Sequence, residues 1–204
     1  MKRKLPVYVE RAIGAIAMER TRCSITFEAE ARRLGRITCE TGCASCCHYP
    51  IEISLFEAVP IYQFLIARGR WTPAFQSKLE EHAKSVSLLS STIWLLSRIP
   101  CPLLEKNRCL VYESRPFACR TLLSLGDPHY CDPHRFSLAT KLVPRDEATR
   151  HFEEFELAQG KQIGAPMYRV PLSRALLFAQ RLMAGDLDMD GLLMAFYADY
   201  KESQ

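Results

Sequence analysis

Cysteines are the residues of this chain whose spacing could support chemistry. The 204-residue chain contains nine of them, and eight fall into two groups. Thiolate is a soft ligand, and sites built only from sulfur select Zn²⁺ or iron–sulfur clusters. The spacing therefore predicts that the chain folds to bring the two groups together around one metal centre. The predicted metal ligands are Cys39, Cys43, Cys46 and Cys47 in the first group and Cys101, Cys109, Cys119 and Cys131 in the second.

Two kinds of metal centre agree with this spacing. Cys43 and Cys46 form the C-x2-C knuckle of a tetrahedral zinc site, which Cys39 can join. The same three cysteines with a distant fourth match the ligand pattern of a [4Fe–4S] cluster equally well. The adjacent side chains of Cys46 and Cys47 are expected to diverge, which suits a multi-iron cluster or two metals better than one tetrahedral ion. The sequence therefore places a [4Fe–4S] cluster ahead of Zn²⁺.

Basic and imidazole side chains flank the cysteines. Arg115 and Arg120 are predicted to compensate the negative charge of buried thiolates, whereas Arg108 is interpreted as a surface residue. Histidine can replace a thiolate, but each histidine near the cysteines is interpreted as a loop residue rather than a ligand. These histidines are His48, the best candidate among them, His129 and His134.

Composition limits the classes of protein to which the chain can belong. It is 48% hydrophobic and 25% charged, which is typical of a globular protein. A formal net charge of +4 without a basic helix does not indicate a nucleic-acid partner. No secretory signal and no membrane span are expected, because the apolar runs are short and interrupted by charges. We expect a cytoplasmic protein, whose reduced thiols suit metal binding better than disulfides.

The segments before and between the two groups are predicted to be helical. Residues 7–34 carry an apolar stripe at helical spacing, and Cys23 on that stripe is interpreted as a core residue. Ser54 and Glu57 predict a capping box at the start of a second helix. A third helix is predicted over residues 73–98.

The second cysteine group is predicted to have little regular structure. Two short extended pieces are expected on either side of a turn at Lys106–Asn107. Arg115–Pro116 is expected to open a short helical turn that carries Cys119. The predicted fold class is mainly α, a helical domain whose metal-binding centre is rich in cysteine and dominated by loops, with at most a short β-hairpin.

The end of the chain is predicted to be helical again, over residues 145–159, 172–184 and 189–200. We predict a single domain over residues 1–204, in which a metal-binding core at 39–131 is flanked by helices within 7–34 and 145–200. Two acidic patterns near the end are interpreted as ordinary helix features. They are the solvated face of Glu153, Glu154 and Glu156, and the helix-capping aspartates Asp186, Asp188 and Asp190, whose calcium-loop pattern fails at Tyr197.

The motifs C-x3-C-x2-C-C, C-P-L-L and C-L-V-Y-E-S-R-P-F-A-C-R cover about residues 39–131. Together they resemble the CxxCxxCC cysteine-cluster family of zinc- or iron-chelating domains, whose members are bacterial and archaeal. The resemblance implies that the eight cysteines bind metal. It also implies that Tyr112, Arg115 and Arg120 belong to the cofactor site. One branch of the family is similar to flagellin lysine methylases.

Two functions from different classes are predicted. In the first, a [4Fe–4S] cluster serves redox or methyl-transfer chemistry, which predicts an open metal beside a pocket. In the second, Zn²⁺ is structural and the helices form an accessory surface for a protein partner, which predicts a closed site with no adjoining pocket. Neither function calls for a nucleic-acid or membrane partner.

Overall fold

The computed structural model describes residues 5–40, 42–132, 142–164 and 168–186, together with Gly191 and Met194. The fold is mainly α, as predicted, with short two-stranded antiparallel sheets. None of the described helices combines the length and apolarity needed to cross a membrane. The α-helices are α1 Val7–Leu34, α2 Leu55–Ala67, α3 Pro73–Ser87, α4 Ser91–Ser97, α5 Phe117–Thr121, α6 Glu147–Gln162 and α7 Leu172–Ala184. The strands are β1 Glu52–Ser54, β2 Leu104–Glu105, β3 Arg108–Cys109 and β4 Arg169–Pro171.

The long helix α1 packs against several of the shorter helices. Its apolar side chains recur every three or four residues, so one face is buried against α2, α5 and α6. Cys23 lies on this face and is buried, as predicted. Two residues depart from the pattern of buried apolar and exposed polar side chains. Arg20 is buried, and Leu34 at the end of the helix is exposed.

Helices α2 and α7 pack against each other behind the cysteine-rich loops. A two-stranded sheet joins their starting points, since β1 leads directly into α2 and β4 leads directly into α7. The register pairs Ile53 with Val170, and both side chains are buried. This sheet was not predicted, because three-residue strands carry too little alternation to be recognised in a sequence.

The single helix predicted over residues 73–98 is wrong. The chain forms α3 and α4 instead, and Ser90 caps α4 by accepting a hydrogen bond of 3.4 Å from the backbone N–H of Ile93. Trp94 of α4 is buried, whereas Ile93 and Leu96, at helical spacing from the apolar residues of α3, are half exposed.

The predicted capping box is half correct. Ser54 Oγ accepts a hydrogen bond of 3.2 Å from the backbone N–H of Glu57, but the Glu57 carboxylate turns inward and binds Phe117 instead of returning to Ser54. The solvated face predicted for residues 153–156 is also wrong at Glu156. That side chain is buried, accepts a hydrogen bond of 2.6 Å from Ser54 Oγ and pairs with Arg169 at 2.9 Å.

The remaining predictions concern the ends of elements. Helix α6 runs through Gly160, which had been expected to end it. Helix α7 ends at Gly185, whose φ of 82° lies in the left-handed region that glycine adopts without strain. Of the helix predicted for residues 189–200, the structure describes only Gly191 and Met194, both helical, and Asp188 and Asp190 lie outside the described residues. The assignment of the whole chain to one domain stays a prediction.

Candidate metal centre

The first cysteine group lies on the loop between α1 and β1. The backbone of Thr38 donates a hydrogen bond of 2.9 Å to the carbonyl of Ser124, and the backbone N–H of Ser124 donates one of 3.3 Å to the sulfur of Cys39. Further along, a single 3-10 turn over Ser45–His48 carries Cys46 and Cys47. The first group is therefore fixed at one end to the segment that follows α5.

Three separate segments bring the second group to the first. The backbone N–H of Cys101 donates a hydrogen bond of 2.7 Å to the carbonyl of Cys47, which joins the two groups directly. Cys109 lies on the β2–β3 hairpin, which was predicted. Its turn residues Lys106 and Asn107 have φ values of 47° and 62°. Cys119 lies on α5, the short helix expected after Arg115–Pro116.

Six of the eight predicted ligands line one small enclosed cavity of about 40 Å³. Apolar side chains of the core close its inner side, among them Ile51, Leu103 and Val111, each less than a tenth exposed. Tyr112 and Arg115 line the same cavity. The structure thus unites the two groups around a common space, as the spacing predicted. The six cysteines are Cys43, Cys46, Cys47, Cys101, Cys109 and Cys119.

An open groove of about 370 Å³ adjoins this cavity. Cys43 and Cys46 line both spaces, so the groove leads from solvent to the cysteines. Cys39 lines the groove and not the cavity. Both predicted cofactor-site arginines face the groove together with Tyr112 and residues of α1. The groove is the feature that separates a metal centre with access from a closed structural site.

Two predicted ligands, Cys39 and Cys131, do not line the cavity. Cys131 lies at the end of a 3-10 turn, Pro128–Cys131, and lines neither the cavity nor the groove. Burial raises the pKa of the Cys39 thiol, and Cys131 lies close enough to Cys39 to contribute to this rise together with Cys46 and Cys43. Of the histidines, His48 is half-buried beside Cys47 and His129 is exposed, while His134 lies outside the described residues.

The thiols of Cys46 and Cys47 differ in acidity. The hydrogen bond from Cys47 and the positive charge of Arg115 lower the pKa of Cys46 to about 7. The same hydrogen bond, together with burial, raises the pKa of Cys47. The two adjacent side chains therefore face each other, contrary to the expectation that they diverge. Cys46 is the thiol best prepared to bind a cation at neutral pH.

Burial has the largest effect on the pKa values of three further cavity thiols. It raises the pKa of Cys101 to about 12 and raises the pKa values of Cys109 and Cys119 as well. These groups resist ionisation in the absence of a cation, and a bound metal removes that penalty because it replaces the proton. All nine cysteines of the chain are free thiols.

Arg115 and Arg120 donate hydrogen bonds to backbone carbonyls in the segment of the second cysteine group. Arg115 stacks on the ring of Tyr112 at 3.9 Å and donates a hydrogen bond of 3.1 Å to the Tyr112 carbonyl. Arg120 donates hydrogen bonds of 2.8 Å and 2.6 Å to the carbonyls of Arg115 and Glu113. Arg108 is exposed, as predicted. The charge of Arg115 is thus fixed at the cysteine cavity, and that of Arg120 at the adjoining groove.

The eight clustered thiols do not form a compact group of three or more within the described ranges. Four thiolates on one Zn²⁺, each at 2.3 Å, stand about 3.8 Å apart. Within the described ranges, no three of the eight cysteines bring their sulfur atoms within 4.8 Å of one another. The one group of metal-binding side chains that meets this distance lies elsewhere, at Glu19, Cys23 and His151.

Residues 38–143, just over half of the chain, match the CxxCxxCC family, described as "putative zinc- or iron-chelating domain". The chain belongs to this family. The CxxCxxCC match spans all eight clustered cysteines, and it confirms the resemblance that their motifs indicated. It also supports metal binding by the chain. No protein of curated function and no solved structure matches the chain. The similarity to flagellin lysine methylases stays a prediction.

Proposed function

We propose that this CxxCxxCC protein holds a [4Fe–4S] cluster in its cysteine cavity and uses it as a redox centre. The observation that carries the proposal is the meeting of six cysteines from separate segments at a cavity that adjoins an open groove. A bound cluster of this kind supplies one-electron redox chemistry. The protein supplies the ligands, the charge environment and the access.

Four of the cavity cysteines are the strongest ligand candidates. Cys46, Cys101, Cys109 and Cys119 lie close enough that, for each pair, the negative charge of one thiolate raises the pKa of the other. They come from the 3-10 turn, the segment after α4, the β-hairpin and α5. In a cubane cluster each cysteine binds a different iron, so the ligands surround a larger object than one ion. Four ligands from four separate segments suit such an object.

The charge balance also favours a bound metal centre. A [4Fe–4S] cluster with four thiolates carries a net negative charge, and burying that charge requires nearby donors or cations. Arg115 lies at the cavity, where its positive charge helps to lower the pKa of Cys46 and offsets part of the rise that burial causes in the pKa values of Cys109 and Cys119. A hydrogen bond of 2.8 Å to the carbonyl of Arg115 holds Arg120 beside it. These residues suit an anionic cofactor.

The groove supports a role beyond structure, since it would let an electron partner or small molecule approach Cys39, Cys43 and Cys46. Methyl transfer rests on the family resemblance alone. We also propose a protein partner and a cytoplasmic location.

A structural zinc site is the second candidate. The small volume of the cavity and its apolar inner side favour it, because structural zinc sites are closed. Under this alternative the groove has no chemical role, and the helices would form a surface for a partner.

Metal analysis of protein purified without oxygen tests the two candidates. About four iron and four acid-labile sulfide per chain, with a broad absorbance that bleaches on reduction, are expected for the cluster. Zinc without sulfide would overturn the redox proposal and leave the structural site.

A further inference from the structure

We infer that the chain carries a second metal site, a mononuclear Zn²⁺ site formed by Glu19, Cys23 and His151. It lies between α1 and α6, and none of its residues lines the cysteine cavity or its groove. The inference goes beyond the proposed function and does not depend on it, since the two sites share no residue.

The geometry of the three side chains carries this inference. Glu19 and Cys23 lie one helical turn apart on α1, so both point to the same side. His151 reaches them from α6, with 2.8 Å between its Nε2 and Oε1 of Glu19. The Cys23 sulfur lies 3.5 Å from the same oxygen, and all three ligand atoms lie within 4.8 Å of one another.

These distances agree with a tetrahedral zinc ion. With Zn–S at 2.3 Å and Zn–O near 2.1 Å, the sulfur and oxygen of two ligands stand about 3.5 Å apart, which is the separation of Cys23 and Glu19. The Glu19–His151 pair must open by about 0.5 Å to admit the ion. That is a small adjustment for His151, whose side chain is half exposed.

The chemistry of the three ligands selects zinc over other common cations. Sulfur and imidazole nitrogen suit Zn²⁺ and its neighbours in the transition series, whereas Mg²⁺ and Ca²⁺ require oxygen ligands. A Cys23 thiolate and a Glu19 carboxylate together carry two negative charges, which a divalent ion neutralises. The bound ion replaces the proton of Cys23, and that proton is released to solvent.

Arg22 lies against two of the three proposed ligands. Its guanidinium pairs with Glu19 and lies 2.9 Å from Nε2 of His151. The Arg22 side chain is 65% exposed, so it can swing into solvent when a cation arrives. The arginine therefore competes with the metal for the same two ligand atoms. Its removal should strengthen metal binding.

A surface groove of about 600 Å³ gives solvent access to the site. Cys23 and His151 line it, and so does Asp146, whose charge acts on Cys23. Three protein ligands leave a fourth position for water, which is the arrangement of zinc sites that are open rather than structural.

Binding of Zn²⁺ and of Co²⁺ to the full chain, after its cysteine centre has been reconstituted with iron and sulfide, tests the inference. Calorimetry should show one equivalent that weakens at least about tenfold in Cys23→Ser and in His151→Ala. Co²⁺ at this site should give a sulfur-to-metal charge-transfer absorption that Cys23→Ser abolishes. Arg22→Ala should bind roughly tenfold more tightly, because it removes a competing charge.

Glu30→Gln is the matched control, since Glu30 lines the same groove but is not one of the three ligands, and it should bind as wild type. Circular dichroism verifies that each variant is folded. Binding that is unchanged in both Cys23→Ser and His151→Ala, or absent from wild type and Arg22→Ala alike, would overturn the site. Because wild type and variants are compared after the same treatment, the change in binding does not depend on what the cysteine cavity holds, so this inference and the cluster proposal can fail separately.

Discussion

The buried carboxylate of Glu57 accepts a hydrogen bond of 2.8 Å from the backbone N–H of Phe117, the first residue of α5. Helix α5 carries Cys119, so a side chain of α2 fixes the start of the segment that delivers one of the cavity thiols. The contact joins residues 60 positions apart in the chain. It satisfies a backbone donor that would otherwise be buried without a partner.

Replacement of Glu57 by Gln should change how stability depends on pH. Burial, and then the charge of Glu156, raises the pKa of Glu57 to about 7. Between its ordinary value of 4.5 and pH 7 the folded chain keeps a proton that the unfolded chain has lost. This contribution is complete below pH 4.5 and is lost as the pH rises through 7. Glu57→Gln keeps an acceptor for Phe117 but cannot ionise.

The expected result is that the melting temperature of wild type, relative to that of Glu57→Gln, declines from pH 5 to pH 8. Thermal unfolding of both proteins across this range measures the difference. Parallel curves would show that Glu57 does not titrate in this window.

The titration of His82 should change stability with pH in the direction opposite to that of Glu57. Burial, followed by the charge of Lys78, lowers its pKa to about 4, and Nδ1 lies 3.0 Å from Ser173 Oγ on α7. The folded state therefore favours neutral imidazole, and its stability should decline as the pH falls from 6.5 towards 4. His82→Gln should flatten this decline in the same unfolding experiment. Replacement of the exposed His129 by Gln is the control, and an equal effect of the two variants would contradict the assignment.

The features predictable from the sequence were those with a local signature. They are the eight cysteines with short spacings, the Lys106–Asn107 turn and the apolar stripe on α1. Each depends on residues that lie close together in the sequence, and each has the predicted structure. The union of the two groups was predictable because thiolates at these spacings have few uses other than metal binding.

The errors arose where tertiary contacts decide the outcome. Glu156 has the sequence appearance of a surface residue, and only the approach of Ser54 and Arg169 makes its burial favourable. The burial of Cys23 was predicted correctly, but the sequence does not show that His151 on α6 lies beside it. An acidic residue one turn before a cysteine on a helix was the one signal present, and it is too common to indicate a site.

Cysteine variants should separate the cavity ligands from the distant thiol. Cys119→Ser removes a thiol that lines the cavity, whereas Cys131→Ser removes one that does not. We expect iron and sulfide to fall below about a fifth of wild type in Cys119→Ser and to stay near wild type in Cys131→Ser. Metal and sulfide analysis of the proteins measures this. Equal losses in the two variants would mean that Cys131 is a ligand.

Arg115 should tune the reduction potential of the proposed cluster. Its positive charge favours the more negative, reduced form, so Arg115→Ala should lower the potential by roughly 60 mV, the one-electron equivalent of a tenfold change in equilibrium. Arg115→Lys keeps the charge and should restore most of the shift. Arg108→Ala removes an exposed charge next to Cys109 and serves as the control. A redox titration followed by absorbance decides, and equal shifts for both alanine variants would refute a specific role for Arg115.

The aromatic contact beneath α5 should couple core stability to metal retention. Phe117 on α5 and Phe152 on α6 are fully buried, with ring centroids 4.2 Å apart. Phe152→Ala leaves a cavity and should cost about 3–5 kcal/mol of unfolding free energy. Because the same ring supports the helix that carries Cys119, the variant should also release its metal faster to a chelator. Phe75→Ala, in the buried face of α3, is the matched control. It should destabilise the protein without the same acceleration, and equal release rates at equal stability would show that metal retention follows global unfolding alone.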